Sequence, residues 1–112
     1  MIVYESFRGL FEEFYSACLI KNRALFLHGG IPTTADSLDD IAWAHKTHPE
    51  TSHLAEILWN DPSTNMGVNY SFRGTGKQFG ADVASRFLDK NGLRMLIRGH
   101  ECFNEGYYFH GE

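Results

Sequence analysis

Residues 24–30 read Ala24-Leu25-Phe26-Leu27-His28-Gly29-Gly30, a short apolar run stopped by paired glycines. Four apolar residues bounded in this way are too few for a helix and fit a buried strand, which leaves His28 at the strand's C-terminal end. The pattern recurs at Met95-Leu96-Ile97, which ends in Arg98-Gly99-His100. Two imidazoles, each fixed by a strand and each beside a glycine, are what a metal or phosphate site at a sheet edge requires. Taken singly, either histidine reads as a hydrogen-bonded structural residue, and only the pair brings the functional reading level with it. Neighbouring strands lie only about 4.8 Å apart, so adjacent or next-adjacent placement of the two runs is expected to bring His28 and His100 within reach of one metal ion.

Elements of other kinds surround these strands. Phe7, Leu10, Phe11 and Phe14 recur at the spacing of one helix face, with Glu12 and Glu13 on the wet side. Residues 31–50 carry Pro32, Pro49 and many Asp, which reads as loop with a helical turn over Ser37 to Ala44. A short helix is expected over Ser52 to Leu58, and Pro62 restricts Asp61 to extended or turn geometry. Residues 63–78 read as a Gly-rich loop. Phe79, Val83 and Phe87, stopped by Asn91-Gly92, predict a helix. Gly106-Tyr107-Tyr108-Phe109 is expected to start a last strand. The fold class is therefore α/β (α+β).

With 112 residues the chain is less than one average domain of about 150 residues. Hydrophobic residues at 43% are enough for a core and too many for a disordered chain. Ten Lys and Arg against fourteen Asp and Glu leave a net charge of -4, which excludes nucleic acid as a main partner. No apolar run approaches the roughly 18 residues of a membrane span, so a soluble cytoplasmic chain without a membrane partner is expected. Cys18 and Cys102 are read as reduced, buried thiols, because their separation fits neither a disulfide framework nor a cysteine zinc site.

Arg73 sits in Arg73-Gly74-Thr75-Gly76, where glycines leave room for an anion and a guanidinium can clamp a phosphate; a solvated loop arginine is the alternative. Gly76-Lys77 is not a nucleotide-binding loop, since Ser71 and Gln78 stand where that motif needs Gly and Ser or Thr. His45, His48 and His53 read as surface-loop residues, and Trp43 and Trp59 as core or interface aromatics.

In order, Leu27-His28-Gly29-Gly30-Ile31-Pro32, Leu58-Trp59-Asn60-Asp61-Pro62, Arg73-Gly74-Thr75-Gly76-Lys77-Gln78-Phe79-Gly80 and Ile97-Arg98-Gly99-His100-Glu101 through Glu105-Gly106-Tyr107 resemble the C-terminal half of the PPP family, the metal-dependent serine/threonine phosphoprotein phosphatases of the calcineurin-like metallophosphoesterase fold. The resemblance implies part of a β-sandwich flanked by helices. It implies two divalent ions in the complete domain, manganese first and iron or zinc next, which activate water to attack a phosphoserine or phosphothreonine ester. It further implies that His28 and His100 ligate one metal, that Arg73 holds phosphate oxygens, and that Asp61 is an active-site carboxylate.

The family's GD-x-HG, GD-x-x-DRG and GNHE motifs, which supply the other metal ligands, do not occur in this chain. Asn60 stands where the family usually has Ser, and Glu101 where eukaryotic members usually have Gln. Residues 1–112 are therefore expected to be a partial catalytic domain whose partners are a phosphoprotein substrate and the missing N-terminal half. Two alternatives carry the same residues: a non-catalytic, phosphate-binding or regulatory short homologue, and a small α/β domain whose motifs are structural.

Overall fold

A computed structural model describes residues 1–44 and 53–111. His45 and His48 lie outside the described residues. Among the described residues the elements follow in the order α1 (Ile2–Glu12), β1 (Ala17–Ile20), β2 (Ala24–Leu27), α2 (Leu38–Ala42), α3 (His53–Trp59), β3 (Asp61–Pro62), β4 (Val68–Tyr70), β5 (Lys77–Phe79), α4 (Ala81–Lys90) and β6 (Met95–Arg98). They make a mixed α/β fold with two three-stranded sheets, ordered β1-β2-β6 and β3-β5-β4.

β2 is the buried strand that its apolar run foretells, and β6 lies directly beside it. The two pair in parallel, with Ala24 opposite Met95 and Leu27 opposite Arg98. Both strands therefore end at the same edge of the sheet. β1 pairs antiparallel on the other side of β2 through a turn in which Asn22 takes φ 58°, a left-handed conformation that Asn tolerates. The core that β2 and β6 rest on gathers Leu25, Leu27, Ile31, Ile41, Ile57, Phe87 and Leu93.

The second sheet departs from the loop expected over residues 63–78. β5 runs between β3, parallel to it, and β4, antiparallel to it, with Asp61 opposite Gln78. Strands of two or three residues are too short to show period-two alternation, so composition masks them. Pro62 is tolerated because β3 is an edge strand. Phe79 closes β5 instead of opening the helix; α4 starts after the N-cap Gly80, and Val83 and Phe87 form its buried face. At the far end Gly92, at φ 65°, lets Leu93 N–H reach the carbonyl of Leu88 at 2.9 Å, a Schellman stop.

Two further expectations are corrected, and a third in part. Residues 106–109 form no strand; Phe103 stacks on Tyr108 at 5.2 Å, and this aromatic contact stands in place of a ladder. Cys18 and Cys102 are exposed, because Cys18 lies on the open face of edge strand β1 and Cys102 in the irregular segment after β6. Trp43 and Trp59 are 55% and 42% exposed, which removes the core half of their expectation and leaves the interface half.

α1 forms as its spacing predicts and buries nothing, while Phe14 falls just beyond it. Phe7, Leu10, Phe11 and Phe14 stay 50–63% exposed and lean on one another, with ring centroids 5.8–6.1 Å apart along Phe7, Phe11 and Phe14. Contiguous apolar surface of this kind drives association in water. The isolated chain is expected to self-associate through α1, and the double substitution Phe7→Glu and Phe11→Glu to reduce that association without loss of helical circular dichroism. Sedimentation equilibrium over a range of concentrations reads the difference; a monomer at every concentration would contradict it.

Candidate functional site

The shared edge of β2 and β6 carries the site. His28 follows the last residue of β2, and His100 stands two residues past β6. Gly99 N–H donates to the carbonyl of His28 at 3.1 Å, which extends the pairing past the strand ends. His100 Nδ1 and His28 Nε2, 72 positions apart in sequence, lie 3.0 Å from each other. Trp59 stands edge-on to the His100 ring at 5.6 Å, so this half-exposed indole borders the histidine pair.

His100 holds φ 74°, unusual for a residue with a side chain. Its Nε2 is buried and has no hydrogen-bond partner among the described residues. Burial and the nearby cation of Arg73 hold its imidazole below the ordinary value, against the partial opposition of Asp61. The ring is therefore neutral near neutral pH, which is the form that ligates metals.

The glycines beside His28 are required by the chain's own packing. A Cβ on Gly29 would stand 2.8 Å from the carbonyl oxygen of Ile57, and one on Gly30 would stand 2.2 Å from the Phe79 ring. Gly29 N–H donates to Ile57 O at 2.7 Å. The turn after β2 is thus pressed against the end of α3.

Asp61 lies almost covered where α3 passes into β3, and both its oxygens are taken. Arg73 Nε donates to Oδ2 at 2.6 Å, and Arg98 Nη2 donates to Oδ1 at 2.7 Å. Burial alone would raise this carboxyl, but the two guanidiniums outweigh it and hold the group below the usual carboxylate range. Arg73 is 37% exposed at its side chain, and among the described residues its terminal nitrogens have no partner. A guanidinium held at Nε keeps both Nη atoms available to donate to an anion.

Two features escaped the sequence reading. Arg98 is a central contact of the site although only its place in the motif was visible; its position two residues before His100 was the available signal. The other is a polar network behind the site. Glu56 accepts from Thr33 N–H at 2.6 Å, Asn60 Nδ2 at 3.0 Å and Lys77 Nζ at 2.9 Å. Buried Asn60 also donates to Ile31 O at 2.9 Å and accepts from Lys77 N–H at 2.7 Å. His53 opens α3 and meets Thr34 Oγ1 at 3.2 Å.

The histidine pair fits part of a cation site. Two nitrogens each about 2.1 Å from one ion and at right angles lie about 3.0 Å apart, the separation seen here. Among the described residues no group of three or more His, Cys, Asp or Glu converges on such a point.

The sequence profile of the calcineurin-like phosphoesterases matches residues 1–103. A protein named "Probable serine/threonine-protein phosphatase" from Encephalitozoon cuniculi is 35% identical over 96% of this chain and 24% of its own length. The serine/threonine-protein phosphatase T of Aspergillus oryzae is 41% identical over 94% of this chain and 23% of its own. A solved protein serine/threonine phosphatase from Saccharomyces cerevisiae, described as similar to human phosphatase PP5, superposes with a TM-score of 0.80 at 34% identity, covering 92% of this chain and 33% of that one. The chain thus spans about a quarter of the curated relatives it matches.

The network behind the site makes stability depend on pH. Burial would raise Glu56, but its bonds from Lys77, Thr33 and Asn60 hold it below the ordinary value of 4.5. A carboxyl lowered on folding binds fewer protons in the folded state, so its contribution is full above the unfolded value and lost as pH falls through the folded one. Glu56→Gln is expected to cost about 1–2 kcal/mol near neutral pH, a figure reduced because Lys77 is partly open to solvent. The gap from wild type should narrow as pH falls below about 4.5. Urea unfolding at neutral and acidic pH measures both; a gap independent of pH would contradict it.

Proposed function

We infer the function from one premise: the chain belongs to the calcineurin-like phosphoesterase family. Calcineurin-like phosphoesterases use divalent metals. Residues 1–112 are read as the C-terminal part of the catalytic domain of a protein serine/threonine phosphatase, acting on phosphoserine and phosphothreonine esters in the cytoplasm. The observation that carries this reading is the convergence of His28 and His100 at 3.0 Å on the edge where Arg73 is tethered to Asp61. Among the described residues no helix is long and apolar enough to cross a membrane.

In this reading His28 and His100 hold one of two divalent ions, manganese first and iron or zinc next, and the remaining ligands come from the N-terminal part of the domain. A bound divalent ion supplies Lewis acidity and makes water a nucleophile near neutral pH. The neutral state of His100 keeps a lone pair available for such an ion. Its buried Nε2 takes an acceptor from the rest of the domain. Arg73 grips the phosphate through its two free Nη atoms, where it offsets charge that builds on the phosphoryl oxygens during transfer. Asp61 acts through Arg73: its Oδ2 fixes the guanidinium plane, so the clamp is oriented before the anion arrives.

Two ligands leave most coordination positions to water, so the isolated chain is expected to show no metal-dependent turnover of a chromogenic phosphomonoester in manganese. Turnover that vanishes in His100→Ala would overturn this expectation. The binding roles are read separately. An NMR titration with inorganic phosphate should shift Arg73 and its neighbours, and Arg73→Ala should abolish the shifts; unchanged shifts in that variant would remove Arg73 from the site.

A further inference from the structure

We propose that Arg98 is the positioning residue of the site, the group that holds the His28 and His100 imidazoles together. The proposal rests on the reading of the two histidines as metal ligands only for its consequence in metal affinity. The guanidinium is only 10% exposed, and every one of its nitrogens has a partner. Nε donates to Gly29 O at 2.5 Å, in the turn immediately after His28. Nη2 donates to Asn60 O at 3.2 Å and to Asp61 Oδ1 at 2.7 Å, at the junction of α3 and β3. Nη1 is paired with Glu101. One side chain therefore joins the turn of the first histidine, the segment that orients Arg73, and the segment of the second histidine.

The position of Arg98 explains the reach. It is the last residue of β6 and lies opposite Leu27, the residue before His28. Its contact with Glu101 closes a three-residue bracket around Gly99 and His100. His100 within that bracket holds a left-handed backbone that side chains disfavour, and such a conformation persists only where its surroundings fix it. The Arg98 and Glu101 contact is that fixture.

Charge adds a second requirement. A guanidinium beside a cation site repels the cation unless it is neutralised. Asp61 is shared with Arg73, whereas Glu101 is paired with Arg98 alone. Lysine carries the same charge, but its point ammonium cannot direct donors to acceptors on several sides as the planar fork does.

The test uses the full chain. In the metal-free protein at fixed pH, Arg98→Lys is expected to shift the His28 and His100 imidazole nitrogen resonances and erase the nuclear Overhauser contact between the rings, with the methyl spectrum of Leu25, Ile57 and Val83 unchanged. Affinity for Mn²⁺, read by electron paramagnetic resonance of the free ion, is expected to fall about tenfold or more. Glu101→Gln, which keeps an acceptor and loses the charge, should change both readouts in the same direction by less. Imidazole signals like wild type in Arg98→Lys would overturn the proposal. Collapse of the core methyl spectrum in both variants would also overturn it, since Arg98 would then be a structural residue only. A wild-type chain that does not bind Mn²⁺, with imidazoles that still separate in Arg98→Lys, supports the positioning role and counts against the metal reading.

Discussion

The carboxylate of Asp61, caught between Arg73 and Arg98, ties the two sheets into one site. Arg98 ends β6 in the first sheet, and Asp61 begins β3 in the second. Placing these charges under cover costs desolvation, and the net gain over an apolar contact is small; because Asp61 has two guanidiniums and Arg98 has further acceptors, loss of one partner leaves the others paired. What the pair contributes is orientation. An apolar contact would let the sheets slide by fractions of an ångström, whereas two directed charge-assisted bonds to opposite oxygens of one carboxylate fix the relation between the histidine edge and the arginine loop.

The second constraint is the close approach of the His28 turn to α3. Gly29 and Gly30 have no room for a Cβ, and the turn's carbonyl and N–H groups are taken by Arg98 and by the end of α3. Behind them Glu56 and Asn60 fill the space between this turn and β5 with bonds that all find partners. A buried polar network that is fully satisfied is stiff, because any displacement leaves a donor or acceptor bare. Asn60 shows why the side chain at this position matters: its amide donates to the His28 side through Ile31 O and accepts from the Arg73 side through Lys77 N–H. A serine hydroxyl at this position would be too short to span both with an amide's geometry.

The parts of this arrangement legible in the sequence are those that repeat a period or sit beside a breaker. β2 and β6 show as apolar runs ended by glycine and α4 as a four-residue recurrence ended by Asn91-Gly92, although only β2 is buried, while Met95 and Ile97 of β6 stay exposed. The short strands β3, β4 and β5 carry no such period; they exist because Asp61, Asn69 and Gln78 find partners across the chain. Arg98 and the Glu56 network were opaque for the same reason, since their roles depend on which carbonyls tertiary folding delivers. α1 failed in the opposite sense. Its amphipathic spacing is correct and its helix forms, but spacing states only that a face seeks burial and cannot state what covers it.

Charge closes the account of what this edge is prepared to receive. Arg73 and Arg98 are balanced by Asp61 and Glu101, so the cluster is close to neutral before anything binds. Arg98 is spent entirely on internal acceptors, and among the described residues the guanidinium nitrogens of this cluster left over are the Nη atoms of Arg73. Beside them lie two imidazoles, of which His100 is held in its neutral form. In the proposed reading a phosphate dianion placed here meets one directed cationic clamp, and a cation at the histidines would offset the rest of its charge. The sequence places these groups 72 positions apart, and the fold makes them neighbours through a single parallel strand pair.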